Sequence, residues 1–205
     1  ALFFIFSMFL GVSLQITTGY ANPFISSFAA MPEYQDVYFV DHANLLISLS
    51  QISETLCILL IPFFLKRYGI KRVMLIAMVA WAFRFGFFAI GNPSFPAVTW
   101  FILSMIVYGV AFDFFNISGS LFVNNETDSS IRSRAQGLFM IMTNGIGASI
   151  GMLIAQAVVN NFTYSQEAGG QFYTVGEWPI VWGIFAAYAL LVAIFFALIF
   201  KEKNQ

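Results

Sequence analysis

Three charged side chains stand in the middle of otherwise oily runs: Glu54 in SQISETL, Arg84 in AWAFRFG and Asp113 in YGVAFDFFNISGS. A charge at the centre of a membrane helix costs on the order of 3 kcal/mol. It is retained where the interior of a bundle holds water or a polar ligand, so these residues point first to a transporter or channel. Gln51 lies three residues before Glu54 on the same helix face, with Ser48 and Thr55 nearby. An amide beside a carboxylate can grip a neutral ligand rich in hydroxyls. Such groups also tie helices together, the reading that suits Ser48 and Thr55. Asp113 is flanked by Phe112, Phe114 and Phe115, with Tyr108 about one turn earlier. The chain has 26 Phe, so most are lipid-facing or core. Phe112 and Tyr108 are singled out by the acid beside them, because ring faces next to a polar group suit a ligand that is flat at one end.

Glu54 and Asp113 are also the candidates for proton coupling. A carboxylate balanced between desolvation, which opposes its charge, and a nearby cation, which favours it, can accept a proton on one side and release it on the other. One pKa unit is worth about 1.4 kcal/mol and 100 mV of membrane potential about 2.3 kcal/mol per charge, so tuning and driving force are comparable. Arg84 has two readings. It is an ion-pair partner for Glu54 or Asp113, or it snorkels toward an interface. Its place near the helix centre favours a structural ion pair, with direct ligand contact third.

The elements that must position these groups are membrane helices. Hydrophobic residues make up 60% of the 205, charged residues 9%, and the mean hydropathy is +0.82; a soluble domain is nearer one-quarter charged. Six windows reach the roughly 20 apolar residues that a crossing needs: 1–29, 43–65, 73–91, 97–123, 135–159 and 179–200. The expectation is an all-α membrane protein, one six-helix domain over 1–205. Eight of nine Lys and Arg fall in 66–72, 124–134 and the tail, while 30–42, 92–96 and 160–178 carry none. The positive-inside rule makes the basic side, and with it both ends, cytoplasmic. The chain begins at Ala1 already within an apolar stretch, without a basic leader, and so reads as part of something longer.

Helix 1 carries Gly11, Gln15, Thr18 and Asn22, and helix 4 carries Gly109, Asp113, Asn116 and Ser120, both at spacing i, i+4, i+7, i+11. These polar stripes on oppositely directed helices suggest a 3+3 inverted repeat, the internal symmetry of a major facilitator half. Gly147 and Gly151 stand in GxxxG spacing, which lets two helices approach closely. The single Cys57 lies in an apolar run and the single His42 in a loop, so nothing calls for a metal or a cofactor. A net charge of −1 gives no sign of a nucleic-acid partner.

The strings LQITTGYANPF, SQISETL, FFLKRYGIKRVM, AWAFRFG, YGVAFDFFNISGSLFV and IRSRAQGLFMIMTNGIG resemble the C-terminal half of the bacterial nucleoside:proton symporters of the major facilitator superfamily. The resemblance runs from about Phe3 to the tail and is weakest in 30–42 and 160–178. It implies a twelve-helix, multi-pass transporter of the bacterial inner membrane, of which this chain matches helices seven to twelve. The N-terminal six-helix half would be its partner in alternating access, moving a nucleoside with a proton. It also implies nucleoside contacts through Gln15, Thr18, Gln51, Glu54 and Asp113, with Tyr108 and Phe112 lining the same cavity. The family pattern has asparagine where Thr18 stands, so a hydroxyl here replaces an amide. A carrier for another hydroxylated solute such as a sugar fits the same residue types, as does a sensor that binds a nucleoside without moving it. An intramembrane serine protease, which the SGS at 118–120 superficially invites, would need an embedded histidine that the sequence lacks. The expectation is therefore a protein that is not an enzyme.

Overall fold

In hydrocarbon every backbone N–H and C=O must be satisfied within its own segment, so the apolar runs become helices. The structure, a computed structural model, describes residues 2–34 and 36–200. Its long elements are α1 (Leu2–Ser27), α3 (Ala43–Ile90), α4 (Val98–Glu126) and α7 (Trp178–Ile199). A short α2 (Tyr38–Asp41) precedes α3. The fifth apolar window forms α5 (Arg132–Met140), a π-helical segment (Ile141–Gly147) and α6 (Ala148–Phe162) in one continuous rod.

The expected loop at 66–72 is largely helical. Its lysines and arginines are good helix formers, and the departure is Gly69, with φ 77°. That residue reverses the chain. Ser50 Oγ lies 3.0 Å from Met105 Sδ, and Arg84 Nη1 lies 3.9 Å from the same sulfur. In an unbroken helix, Ser50 and Arg84 would stand about 50 Å apart. The arms 43–68 and 70–90 are therefore separate crossings, and five long apolar helices supply six.

The crossings alternate in direction. Leu2, Phe3, Phe122 and Phe200 meet at one end of the bundle, and Phe24, Phe88, Phe101 and Trp182 at the other. Phe64 packs on Phe114, which places the Gly69 reversal at the Glu126 end of α4. Both internal basic segments thus share one side; Lys201 and Lys203 lie outside the described residues. The core is aromatic, with Phe85, Phe88, Phe101 and Trp182 fully buried. Because lipid is as apolar as these rings, close packing, not exclusion from water, holds the helices together. The glycine seam forms as the spacing predicts. A Cβ on Gly151 would sit 2.7 Å from Val12 Cα, and one on Gly147 would strike the Met8 carbonyl.

The crossings are all helical, and one connecting segment differs from the loop expected there. Segment 160–178 is not a plain loop but holds an antiparallel hairpin, β1 (Thr163–Ala168) and β2 (Gln171–Gly176). Its two-residue turn is Gly169-Gly170, with φ 58° and 78°, the left-handed pair that suits the twist of a tight hairpin. Trp178 Nε1 donates to the Thr174 carbonyl at 3.0 Å and ties the hairpin to the start of α7.

Candidate functional site

A cavity of about 360 Å³ opens between α1, both arms of α3 and α4. Thr17, Thr18 and Asn22 reach it from α1, Asn44, Ser50, Gln51 and Glu54 from the first arm, Arg84 from the second, and Tyr108 from α4. The size lies within the range of small-molecule sites, and the lining mixes apolar surface with convergent polar groups. The local folding is direct. Asn44, Gln51 and Glu54 follow helical spacing down one face, and Ser53, next to Glu54, donates its hydroxyl to the Ile106 carbonyl and fixes that arm against α4. Asn22 Nδ2 donates to Asn44 Oδ1 at 3.3 Å, closing the rim between α1 and α3.

Arg84 is the most constrained group of the site, with only 3% of its surface exposed. Its Nε donates to Thr17 Oγ1 at 2.7 Å and its Nη1 to the Ser104 carbonyl at 2.8 Å. The Ser104 hydroxyl donates back to the Arg84 carbonyl at 2.9 Å. The guanidinium carbon lies 4.4 Å from the centre of the Tyr108 ring and 5.1 Å from that of Phe88. The hydrogen-bond partners of Arg84 among the described residues are neutral, and Glu54, the partner expected for an ion pair, acts on it through space. A delocalised cation is satisfied here by neutral oxygens and ring faces, without the cost of desolvating a second charge in direct contact.

Of the residues singled out from sequence, Thr18, Gln51, Glu54 and Tyr108 converge on this cavity, together with Arg84. Gln15, Phe112 and Asp113 do not line it. Gln15 lies nearly one turn before Thr18 on α1. Phe112 lines a smaller crevice with Leu14, Trp81 and Thr143, but its ring is parallel to that of Tyr108 at 5.7 Å. One aromatic surface therefore runs from the cavity to the crevice. Asp113, one residue farther on, is 6% exposed and buried against neighbouring helices, with Oδ2 lacking any hydrogen-bond partner. It remains within electrostatic range of Glu54.

Sequence reasoning missed Thr17, Asn44 and Ser50, and left Asn22 as part of a stripe without a role. A signal for Thr17 was present: a buried arginine needs acceptors, and a threonine at mid-helix is one of the few available in an apolar bundle.

A six-crossing helical bundle with a polar cavity between its helices defines a multi-pass membrane protein of the kind that forms one half of a twelve-helix major facilitator fold. The family model described as nucleoside H+ symporter matches residues 1–205, and the chain belongs to that family. It is 52% identical over 205 residues to the xanthosine permease of Escherichia coli, covering all of this chain and 47% of that protein. It is 49% identical over 204 residues to the nucleoside permease NupG of the same organism, again covering 47% of the relative. The crystal structure of the nucleoside transporter NupG superposes with a TM-score of 0.88, covering 99% of this chain and 48% of that one. The chain thus spans about half the length of the curated relatives it matches.

Proposed function

We propose that this chain is the C-terminal half of a proton-coupled nucleoside transporter of the bacterial inner membrane, working by alternating access. The observation that carries this reading is the convergence of Thr18, Gln51, Glu54 and Tyr108 on one cavity, in a chain matched from end to end by the nucleoside H+ symporter model. The C-terminal position rests on the motifs quoted above. The two polar stripes support the 3+3 inverted repeat, and the shared side of the basic segments supports cytoplasmic ends.

In this reading Gln51 and Glu54 hold ribose hydroxyls, acting as donor and acceptor together. Thr18 meets the base or sugar from α1. Tyr108 and Phe112 present the surface on which the base stacks. Gln15 and Asp113 reach the ligand or the proton path only when the helices rearrange between inward- and outward-facing states. Asp113, with Glu54 in range, takes part in proton coupling. The N-terminal half supplies the opposite wall of the cavity.

The test is uptake into proteoliposomes holding the full-length transporter that contains this chain. Labelled uridine should accumulate when the outside is made acidic, and a protonophore should abolish that accumulation. Uptake of a hexose in place of a nucleoside, or uridine flux indifferent to the pH gradient, would defeat the reading.

A further inference from the structure

Arg84 has one nitrogen to spare. Nε is committed to Thr17 and Nη1 to Ser104, whereas Nη2 has no partner among the described residues. Nη2 is also absent from the buried unpartnered atoms, which are Asp113 Oδ2 and Trp182 Nε1. Arg84 lines the cavity, so its remaining N–H groups open into that space. The guanidinium cannot swing away, because two hydrogen bonds and the Tyr108 and Phe88 rings fix its plane. A fixed cationic N–H facing the cavity calls for an oxygen acceptor on whatever ligand occupies it.

We propose that Arg84 is a specificity-determining residue whose Nη2 donates to a carbonyl oxygen of the ligand's base, favouring oxo-nucleosides over those bearing an amino group in its place. The inference rests on the nucleoside reading above and deepens it. Two features of the site place this contact on the base. Arg84 packs on the Tyr108 ring, and that ring continues into Phe112, so the free nitrogen lies beside the aromatic surface that a base would cover. An amino substituent meeting it would set donor against donor and leave a buried N–H unpaired, and sites built around a hydrogen bond reject ligands that cannot complete it.

Inosine and adenosine provide the test, since at the six-position one carries an oxygen acceptor and the other an amino donor. Equilibrium binding to the full-length transporter should favour inosine by about tenfold, equivalent to about 1.4 kcal/mol. In Arg84→Gln the two affinities should draw together, with inosine losing several-fold more than adenosine. A purely structural role would instead weaken both ligands alike. Should Arg84→Gln fail to fold, the wild-type protein still decides, with uridine compared against its 2-thio and 4-thio analogues. Sulfur is a weak acceptor, and one of the two replacements should cost at least fivefold. Equal affinities for inosine and adenosine, or thio analogues that both bind like uridine, would overturn the assignment. Binding of no nucleoside would overturn the nucleoside reading itself, and this inference with it.

Discussion

Asp113 and Arg84 are both buried charged residues, and the helix bundle treats them differently. Arg84 is surrounded by acceptors and ring faces, whereas Asp113 keeps one carboxylate oxygen without a partner. A buried oxygen left unpaired costs about 1–3 kcal/mol, more when charged. A cost of that kind is retained where the group must change its protonation state. Asp113→Asn keeps the shape and removes the charge. It should fold as well as the parent and retain nucleoside binding, while uptake no longer responds to an imposed pH gradient. Unchanged pH dependence in proteoliposomes would remove Asp113 from the coupling path. Thr17→Val, in contrast, strips the acceptor from Arg84 Nε without changing side-chain size. Thermal unfolding in detergent should show a loss of about 1–2 kcal/mol, since hydrogen bonds to buried charges are the stronger ones. At this scale the sequence was informative wherever a residue was conspicuous against its surroundings. Glu54 and Arg84 stand out in apolar helices. Thr17 does not, because its partner is 67 residues away and threonine in a membrane helix usually bonds its own backbone, as Thr18 does with the Leu14 carbonyl. Phe112 and Asp113 are adjacent in sequence but about 100° apart around the helix, so Phe112 faces the crevice while Asp113 is buried.

Among the elements, the contact of α1 with the π-helical segment and α6 is the tightest. Gly147 and Gly151 let the α1 backbone approach until no side-chain atom fits between. Gly151→Leu should force α1 and α6 apart, at an overpacking cost of about 3 kcal/mol. The readout is a lower unfolding temperature together with weakened nucleoside binding, because α1 carries Thr17 and Thr18 into the cavity. A variant as stable as the parent would show that the seam tolerates separation. The GxxxG spacing made this contact legible. The hairpin is the opposite case. Its Gly169-Gly170 pair lay in view, but short polar strands carry little hydrophobic patterning, and membrane-helix reasoning assigned everything between two crossings to a loop. Replacing both glycines by alanine puts Cβ atoms on residues at φ 58° and 78°, a strain of about 1–2 kcal/mol each. Amide exchange along β1 and β2 should accelerate while α7 stays protected; unchanged exchange would mean that the turn does not hold the strands. The two arms of α3 are the two crossings the windows expected, parted at Gly69, and only their ends run farther into 66–72 than expected. The charges of 66–72 read as a loop, yet Lys and Arg are good helix formers and one glycine suffices to reverse the chain.

For the molecule as a whole, the decisive feature is that its polar cavity has walls from α1, α3 and α4 and none from the other described residues. Gln51 and Thr18 are exposed and Glu54 is only half-buried. Lipid cannot cover such groups, because an unsatisfied polar atom in hydrocarbon costs several kcal/mol. Water or protein must occupy the open side. A chain that spans 47% of its relatives leaves room for a second six-helix body to do so, and a ligand held between two bodies gains contacts from both. The chain expressed by itself should therefore insert into the membrane, bind nucleoside at least tenfold more weakly than the full-length transporter, and show no uptake. Co-expressing the missing half as a separate polypeptide should restore uptake, because each half closes its own backbone hydrogen bonds and needs only to pack against the other. Calorimetric binding to the isolated chain and uptake by the co-expressed halves measure the two expectations independently. Full affinity in the isolated chain would mean that the cavity is already complete. Failure of the paired halves to transport would mean that the covalent link between them is needed for assembly, and not merely for bringing two independently folded bodies together.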